Sequence, residues 1–224
     1  MSLYLDDERA SRISKAIREA DHKVICSNIE IHLRAVFAAD NIPLMISHPL
    51  GFLCMPIYRS DAVGLCVHIW MRDAPAARPT TSGMHLHTWD LHSHILAGGI
   101  RNSRIEVSPE DTEPSHRIFD VVSTDKDVDT IKRTERTVTY RTIDSTDYHA
   151  GQTYTVDSFD FHEAAVLYPN FTATAVLAQD WGDEPQQTLG RLDGDSHVVH
   201  RERCAAVDAR RAGTRLLDSI AGTA

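Results

Sequence analysis

The chain has 224 residues, a net charge of −9 with neutral histidines, 42% hydrophobic and 25% charged residues. This size and composition are typical of one globular domain with short appendages. The negative charge argues against nucleic acid and anionic membranes as partners, because an acidic protein releases no counterions from them. No apolar run approaches the roughly 18 residues that a membrane-spanning helix needs, and the first residues lack the pattern of a secretory signal. We therefore predict a cytoplasmic protein whose four cysteines, which form no CxxC pair, are free thiols.

The first 45 residues are predicted to form two helices. Asp6 or Asp7 can cap the first helix, and Ile13 and Ile17 recur at helical spacing behind the cap. The second helix is predicted over residues 27–43, where an apolar stripe repeats with the same period.

The centre of the chain is predicted to be all-β. About ten short runs rich in Val, Ile, Thr and aromatic residues lie between residues 51 and 179, and turn residues separate them. Because no helical pattern interrupts them, we expect an antiparallel barrel or jelly roll. Residues 181–200 look like a polar loop, and residues 201–221 like a last helix. The predicted division is a helical segment over 1–45, a β-barrel over 46–182, and a C-terminal loop and helix over 183–224.

The segment GMHLHTWDLHSHILAGG, residues 83–99, places four histidines at alternating positions. Successive side chains of a strand point to opposite faces, so His85 and His87 share a face, as do His92 and His94. If the two runs were neighbouring antiparallel strands, these pairs would lie side by side. A lone histidine on an apolar strand is more often a hydrogen-bonded core residue, but four in this pattern favour a metal site, which needs at least three converging donors.

This segment resembles the first motif of the cupin superfamily, G(x)5HxH(x)3–4E(x)6G. His85 and His87 fill HxH, His92 stands where the glutamate usually is, and Gly99 closes the motif. The later run DFHE resembles the second motif through His162. The resemblance covers about residues 50–180 and implies a small cupin-type β-barrel with one divalent transition metal inside.

By this resemblance, His85, His87 and His162 would be metal ligands, and three interpretations of His92 stay open. It is a fourth neutral ligand, or it lines the cavity of a three-histidine site like that of thiol dioxygenases, or the site has lost its metal. His94 is predicted to contact the substrate. Tyr154 and Arg101, polar residues on other barrel strands, are further candidates for substrate binding.

The favoured function is that of a mononuclear metal enzyme, which uses Fe(II) and O2 to oxidise a small polar molecule. Neutral ligands leave the ion its full double positive charge, which attracts anionic molecules and acidifies bound water. The alternatives are a non-redox zinc or nickel lyase, isomerase or cyclase, and a barrel that binds a small molecule without catalysis. No nucleophile motif, phosphate loop or dinucleotide fingerprint is present, and no catalytic residue is assigned. The expected partners are a small-molecule substrate and a second copy of the chain in a homodimer.

Overall fold

The computed structural model describes residues 3–73, 77, 79–124 and 127–221, so the ends of the predicted segments 1–45 and 183–224 lie outside it. In chain order, the helices and strands of this part of the chain are α1 Asp7–Arg18, α2 His22–Ala38, β1 Ile46–His48, β2 Phe52–Arg59, β3 Val63–Met71, β4 His85–Leu86, β5 Asp90–Ala97, β6 Gly99–Pro109, β7 His116–Thr124, β8 Val128–His149, β9 Thr153–Val156, β10 Phe161–Val166, β11 Phe171–Gln179, β12 Gln186–Gly190, β13 His197–His200 and α3 Ala206–Ile220. None of these helices is long and apolar enough to cross a membrane.

The strands form two sheets. One has the order β1-β2-β3-β11-β5-β9, and the other has the order β13-β8-β6-β10-β4-β12-β7. The long strand β8 also pairs with β7, so the second sheet curls back on itself. Every pairing is antiparallel. The predicted fold, an antiparallel β-barrel with two helices before it and one after it, is confirmed.

The helices cover the outer face of the six-stranded sheet. The Asp6 carboxylate accepts a hydrogen bond from the backbone N–H of Arg9 at 2.9 Å and caps α1, as predicted. Ile13 and Ile17 of α1 are completely buried. They belong to a core cluster that also contains alternate residues of four strands: Leu53, Met55 and Ile57, Leu65, Val67, Ile69 and Met71, Leu96, and Ala173, Ala175 and Leu177. Side chains of these strands that point the other way must therefore face the barrel interior.

The barrel interior holds a second apolar cluster, to which both sheets contribute. Its buried members are Leu91, Ile95, Ile100, Tyr154, Val156 and Val176, and Cys66, Trp70, Trp89, Tyr148, Ala164 and Val166 pack against them. This cluster identifies the inward faces of β3, β5, β6, β9, β10 and β11.

Two predictions about element boundaries are wrong. Residues 186–190 and 197–200 form β12 and β13 instead of a loop, and both strands complete the second sheet beyond the predicted barrel end at residue 182. Their Gln, Thr and His side chains gave no apolar alternation. The second helix begins at His22, five residues earlier than predicted, because the side chain of Asp21 caps it by accepting from the N–H of Val24 at 3.1 Å.

Candidate metal centre

Three histidines converge on the barrel interior, two on strands of the second sheet and one, His87, just after the end of β4. His162 on β10 lies directly opposite His85 on β4 in the antiparallel register. The ring centroid of His87 is 4.7 Å from that of His85 and 5.4 Å from that of His162. Ring nitrogens of the three all lie within 4.8 Å of one another. His162 faces the barrel interior, because Ala164 lies on the same face of β10 and packs against the interior cluster. We call His85, His87 and His162 the histidine triad.

Hydrogen bonds determine which nitrogen is free in two of these rings. Nδ1 of His85 donates to the carbonyl oxygen of Gly83 at 2.8 Å, and Nδ1 of His162 donates to Oδ1 of Asn102 at 2.9 Å. A neutral imidazole that donates through Nδ1 carries its lone pair on Nε2. Both rings therefore present Nε2 as a ligand atom, held in place by the kind of outer hydrogen bond that metal-binding histidines almost always make.

The spacing of the triad fits one transition-metal ion. Nε2 of His85 and Nε2 of His87 are 3.2 Å apart. Two nitrogens that bind one ion at about 2.1 Å are about 3.0–3.4 Å apart at octahedral or tetrahedral angles. Nε2 of His162 is buried and has no hydrogen-bond partner among the described residues. A buried polar atom without a partner is costly, and coordination of a metal would satisfy it.

Burial keeps the triad neutral. It lowers the pKa of His85, and it lowers the pKa values of His87 and His162 well below the usual 6.5, with neighbouring imidazoles acting in the same direction. Imidazole binds a metal only when its nitrogen is deprotonated. The triad is therefore in its ligand form at neutral pH. Of the residues that the structure describes, no carboxylate joins this cluster.

The prediction that His92 is a ligand, or lies directly beside the metal, is wrong. It assumed that β4 and β5 pair, but β4 lies between β10 and β12, whereas β5 lies between β11 and β9 in the other sheet. On β5, Leu91 faces the interior and Leu96 faces the helices. His92 alternates with Leu91, so it points out of the barrel, where the charge of Arg18 on α1 acts on it.

His94 lies on the same outer face, so the prediction that it contacts a substrate in the barrel is wrong as well. It is completely buried under α2. Its Nε2 is 2.9 Å from Nδ1 of His22, and its Nδ1 is 2.8 Å from Oγ1 of Thr153. Burial and the neighbouring His22 lower the pKa of His94 to about 4, against a weaker opposite effect of Asp21. Through these contacts the His94 side chain connects its own strand, β5, to α2 and to β9.

Replacement of His94 by glutamine is expected to reduce the acid sensitivity of folding. The pKa of His94 is about 4 in the folded chain and about 6.5 in the unfolded chain, so the unfolded state binds more protons between these values. The stability that depends on neutral His94 is present above about pH 6.5 and is lost as the pH falls toward 4, on the order of 3 kcal/mol. Urea unfolding of parent and variant between pH 7.5 and 4.5 tests this. The exposed His200→Gln is the control, and a variant curve as steep as the parent curve would contradict the prediction.

The other two predicted substrate contacts differ in position. Arg101 points outward on β6, and its guanidinium forms two hydrogen bonds with the Asp147 carboxylate, at 2.6 and 2.9 Å. The arginine side chain is 53% exposed, so the prediction that it lines the cavity is wrong. Tyr154 does face the interior, where burial raises its pKa to about 12 and its ring packs 5.0 Å from that of Tyr148. Its contact with a substrate stays a prediction.

Asn102, which orients His162, was missed by the sequence analysis. It lies on β6 and is 5% exposed. The sequence does contain a feature that could have identified Asn102, namely the alternation along β6. Ile100 faces inward, so Asn102, two residues later, must face inward too. A buried amide inside a barrel needs a polar partner. The pairing of β6 with β10, which brings Asn102 near His162, is not readable from the sequence.

Replacement of Asn102 by alanine is expected to weaken metal binding at the triad about 10–100-fold, because the His162 ring loses the acceptor that orients it. Asn102→Asp is the matched control, since a carboxylate also accepts from Nδ1 and should retain most of the affinity. Competition with a chromogenic chelator measures both. Equal affinity of the alanine variant and the parent chain would show that this hydrogen bond does not position a ligand.

Solved structures of barrel proteins are similar to this chain. A cupin superfamily protein from Desulfitobacterium hafniense is 12% identical, over 57% of this chain and 76% of its own, with a TM-score of 0.32. KdgF from a Halomonas species is 10% identical, over 59% and 83%, with a TM-score of 0.33. An uncharacterised conserved protein with a double-stranded β-helix domain from Klebsiella pneumoniae is 8% identical, over 63% and 85%, with a TM-score of 0.34. No protein-family model matches the sequence, and no curated protein does.

Fold and site together define a cupin-type barrel whose three histidines could hold a metal ion. The predicted cupin-type fold is confirmed by the chain's own topology, which has two antiparallel sheets and brings three histidines together inside the barrel. A fold does not define a reaction.

Proposed function

We propose that the protein is a mononuclear metal-dependent enzyme that uses Fe(II) at the histidine triad, together with O2, to oxidise a small polar molecule. The observation that carries this proposal is the convergence of His85, His87 and His162 with Nε2 of His85 and His162 presented inward. Three protein ligands on one side of a six-coordinate ion leave positions for two small reactants, as the two-histidine, one-carboxylate sites of non-haem iron oxygenases do.

The residues around the triad support chemistry in a shielded site. Trp89 stacks on the ring of His87 with 4.5 Å between ring centroids, and Trp181 packs on Trp89 at 4.6 Å. This aromatic wall limits access of water, and Asn102 holds the His162 proton on Nδ1. A bound Fe(II) would supply redox chemistry and an undiminished double positive charge, since no ligand neutralises it. The proposed substrate is therefore a small anion or zwitterion.

A non-redox zinc enzyme is the second candidate, because three histidines are also the ligand set of catalytic zinc sites that activate water. The two proposals differ in the metal and in their need for O2. Elemental analysis after purification without chelator gives the metal. Binding of nitric oxide to the anaerobic Fe(II)-loaded chain, followed by electron paramagnetic resonance, reports whether iron in this site has a position open to a diatomic molecule.

If the protein is an iron enzyme, we expect a high-spin iron–nitrosyl signal. We also expect O2 consumption in the presence of at least one compound from a panel of small thiols and hydroxy acids, beginning with L-cysteine. Both responses should be absent from His162→Ala. Zinc in the purified protein, with no nitrosyl signal from the Fe(II)-loaded chain, would replace the iron proposal with the zinc proposal.

A further inference from the structure

A second cluster of metal-binding side chains lies in the barrel, on the opposite sheet from the triad. Cys54 on β2 is directly opposite His68 on β3 in the antiparallel register. Cys66 precedes His68 by two residues, so all three side chains share one face. Cys66 packs against the interior cluster, which shows that this face is the inner one. From the sequence, both cysteines were predicted to be free thiols.

The three side chains are close enough to bind one ion. Sγ of Cys66 is 3.2 Å from Nε2 of His68, and the ligand atoms of Cys54, Cys66 and His68 all lie within 4.8 Å of one another. Ligands of a tetrahedral zinc ion, at about 2.3 Å for sulfur and 2.1 Å for nitrogen, are about 3.6–3.8 Å apart. Shifts of about an ångström in side-chain position would bring all three into coordination.

We propose that Cys54, Cys66 and His68 form a second metal site, for zinc or another thiophilic divalent ion, separate from the histidine triad. Two thiolates cancel the double charge of the ion, so the complex is neutral and suits apolar surroundings. Aromatic rings pack against the cluster: the Phe52 ring stacks on His68 at 4.1 Å, and the Trp70 ring lies edge-on to His68 at 6.0 Å. Three protein ligands leave the fourth tetrahedral position open, the arrangement of catalytic rather than structural zinc sites.

The register favours a metal over a disulfide. Cys54 is opposite His68 and Cys66 is opposite Pro56, so the two cysteines are diagonal neighbours. Diagonal residues of an antiparallel pair have Cα atoms about 7–8 Å apart, more than a disulfide spans without movement of the backbone. Both cysteines are free in the structure. The two centres also differ in softness: sulfur ligands favour zinc, whereas three imidazoles suit iron as well.

Cobalt(II) is the probe, because thiolate ligands give it an intense near-ultraviolet charge-transfer band that an all-imidazole site cannot produce. The full-length chain, freed of metal and reduced, is titrated with Co²⁺ under anaerobic conditions. We expect the band in the parent chain and in His162→Ala, and we expect zinc to abolish it. Cys54→Ser and Cys66→Ser should each lose the band, whereas Cys204→Ser, a free cysteine on the helix side of the six-stranded sheet, should keep it.

Retention of the band in His162→Ala separates this site from the triad, so the inference stands or falls independently of the proposed function. Circular dichroism shows whether the serine variants fold. If either does not, His68→Gln replaces it and should weaken cobalt binding at least about tenfold. A reduced parent chain without the band would overturn the proposal, as would a band that survives in the Cys54→Ser, Cys66→Ser double variant. Loss of two thiols on oxidation, with no band after reduction, would show a redox-active thiol pair instead.

Discussion

His162→Ala is expected to lower the metal content of the purified protein by about one equivalent per chain. His162 supplies one of only three converging nitrogens, and its Nε2 has no partner within the described residues. Removal of a direct ligand should cost more affinity than the roughly 10–100-fold that loss of an outer-shell partner costs. Inductively coupled plasma mass spectrometry of the parent and variant chains, purified in parallel without chelator, measures the difference.

The matched control for that experiment is His92→Ala. In the sequence motif His92 stands where the glutamate ligand usually is, but in the structure it lies outside the barrel, near α1. The alanine variant should retain the full metal content of the parent chain. A loss of metal from His92→Ala equal to the loss from His162→Ala would mean that β5 presents its other face to the site, and the assignment of the triad would fail.

The fold was largely readable from the sequence because most strands bury one face. In β3 and β11, β-branched and apolar residues mark the strands directly. β12 and β13 were missed because their backbones pair with neighbouring strands while their side chains are mostly polar. A strand that forms mainly through pairing with its neighbours is difficult to predict from its own residue types.

The triad was predictable because its geometry is mostly local. His85 and His87 were predicted to share a face from strand alternation, and the resemblance of DFHE to the second cupin motif identified His162. The error at His92 came from assuming that strands adjacent in sequence are adjacent in a sheet, whereas the chain crosses from one sheet to the other at Thr88 and Trp89. The second cluster was not predicted, because Cys54 and His68 are brought together by the register in which β2 pairs with β3.

Removal of the metal is expected to lower the melting temperature at pH 7.5. An ion that binds only the folded chain adds about 4 kcal/mol when its free concentration is a thousand times its dissociation constant. At about 2–4 °C per kcal/mol for a chain of this size, metal-bound and chelated samples should differ by roughly 8–16 °C. The metal-free barrel should still fold, because its three apolar clusters need no ion to form.

The pH at which this difference closes follows from the lowered pKa values of the triad. Protons compete with the metal only when they bind the folded ligands, and burial holds the pKa values of His87 and His162 well below 6.5. The difference in melting temperature should therefore persist at pH 6 and close only as the pH falls through these depressed values. Other buried histidines, including His94, destabilise both samples alike as they gain protons, so their effect cancels in the difference.

Thermal melts with and without chelator at pH 7.5, 6 and 4.5, with metal content measured in parallel, test this. A difference that is already gone at pH 6 would mean that the ligand nitrogens titrate as exposed histidines do, and equal melting temperatures at pH 7.5 in the presence of bound metal would mean that the ion binds folded and unfolded chains equally.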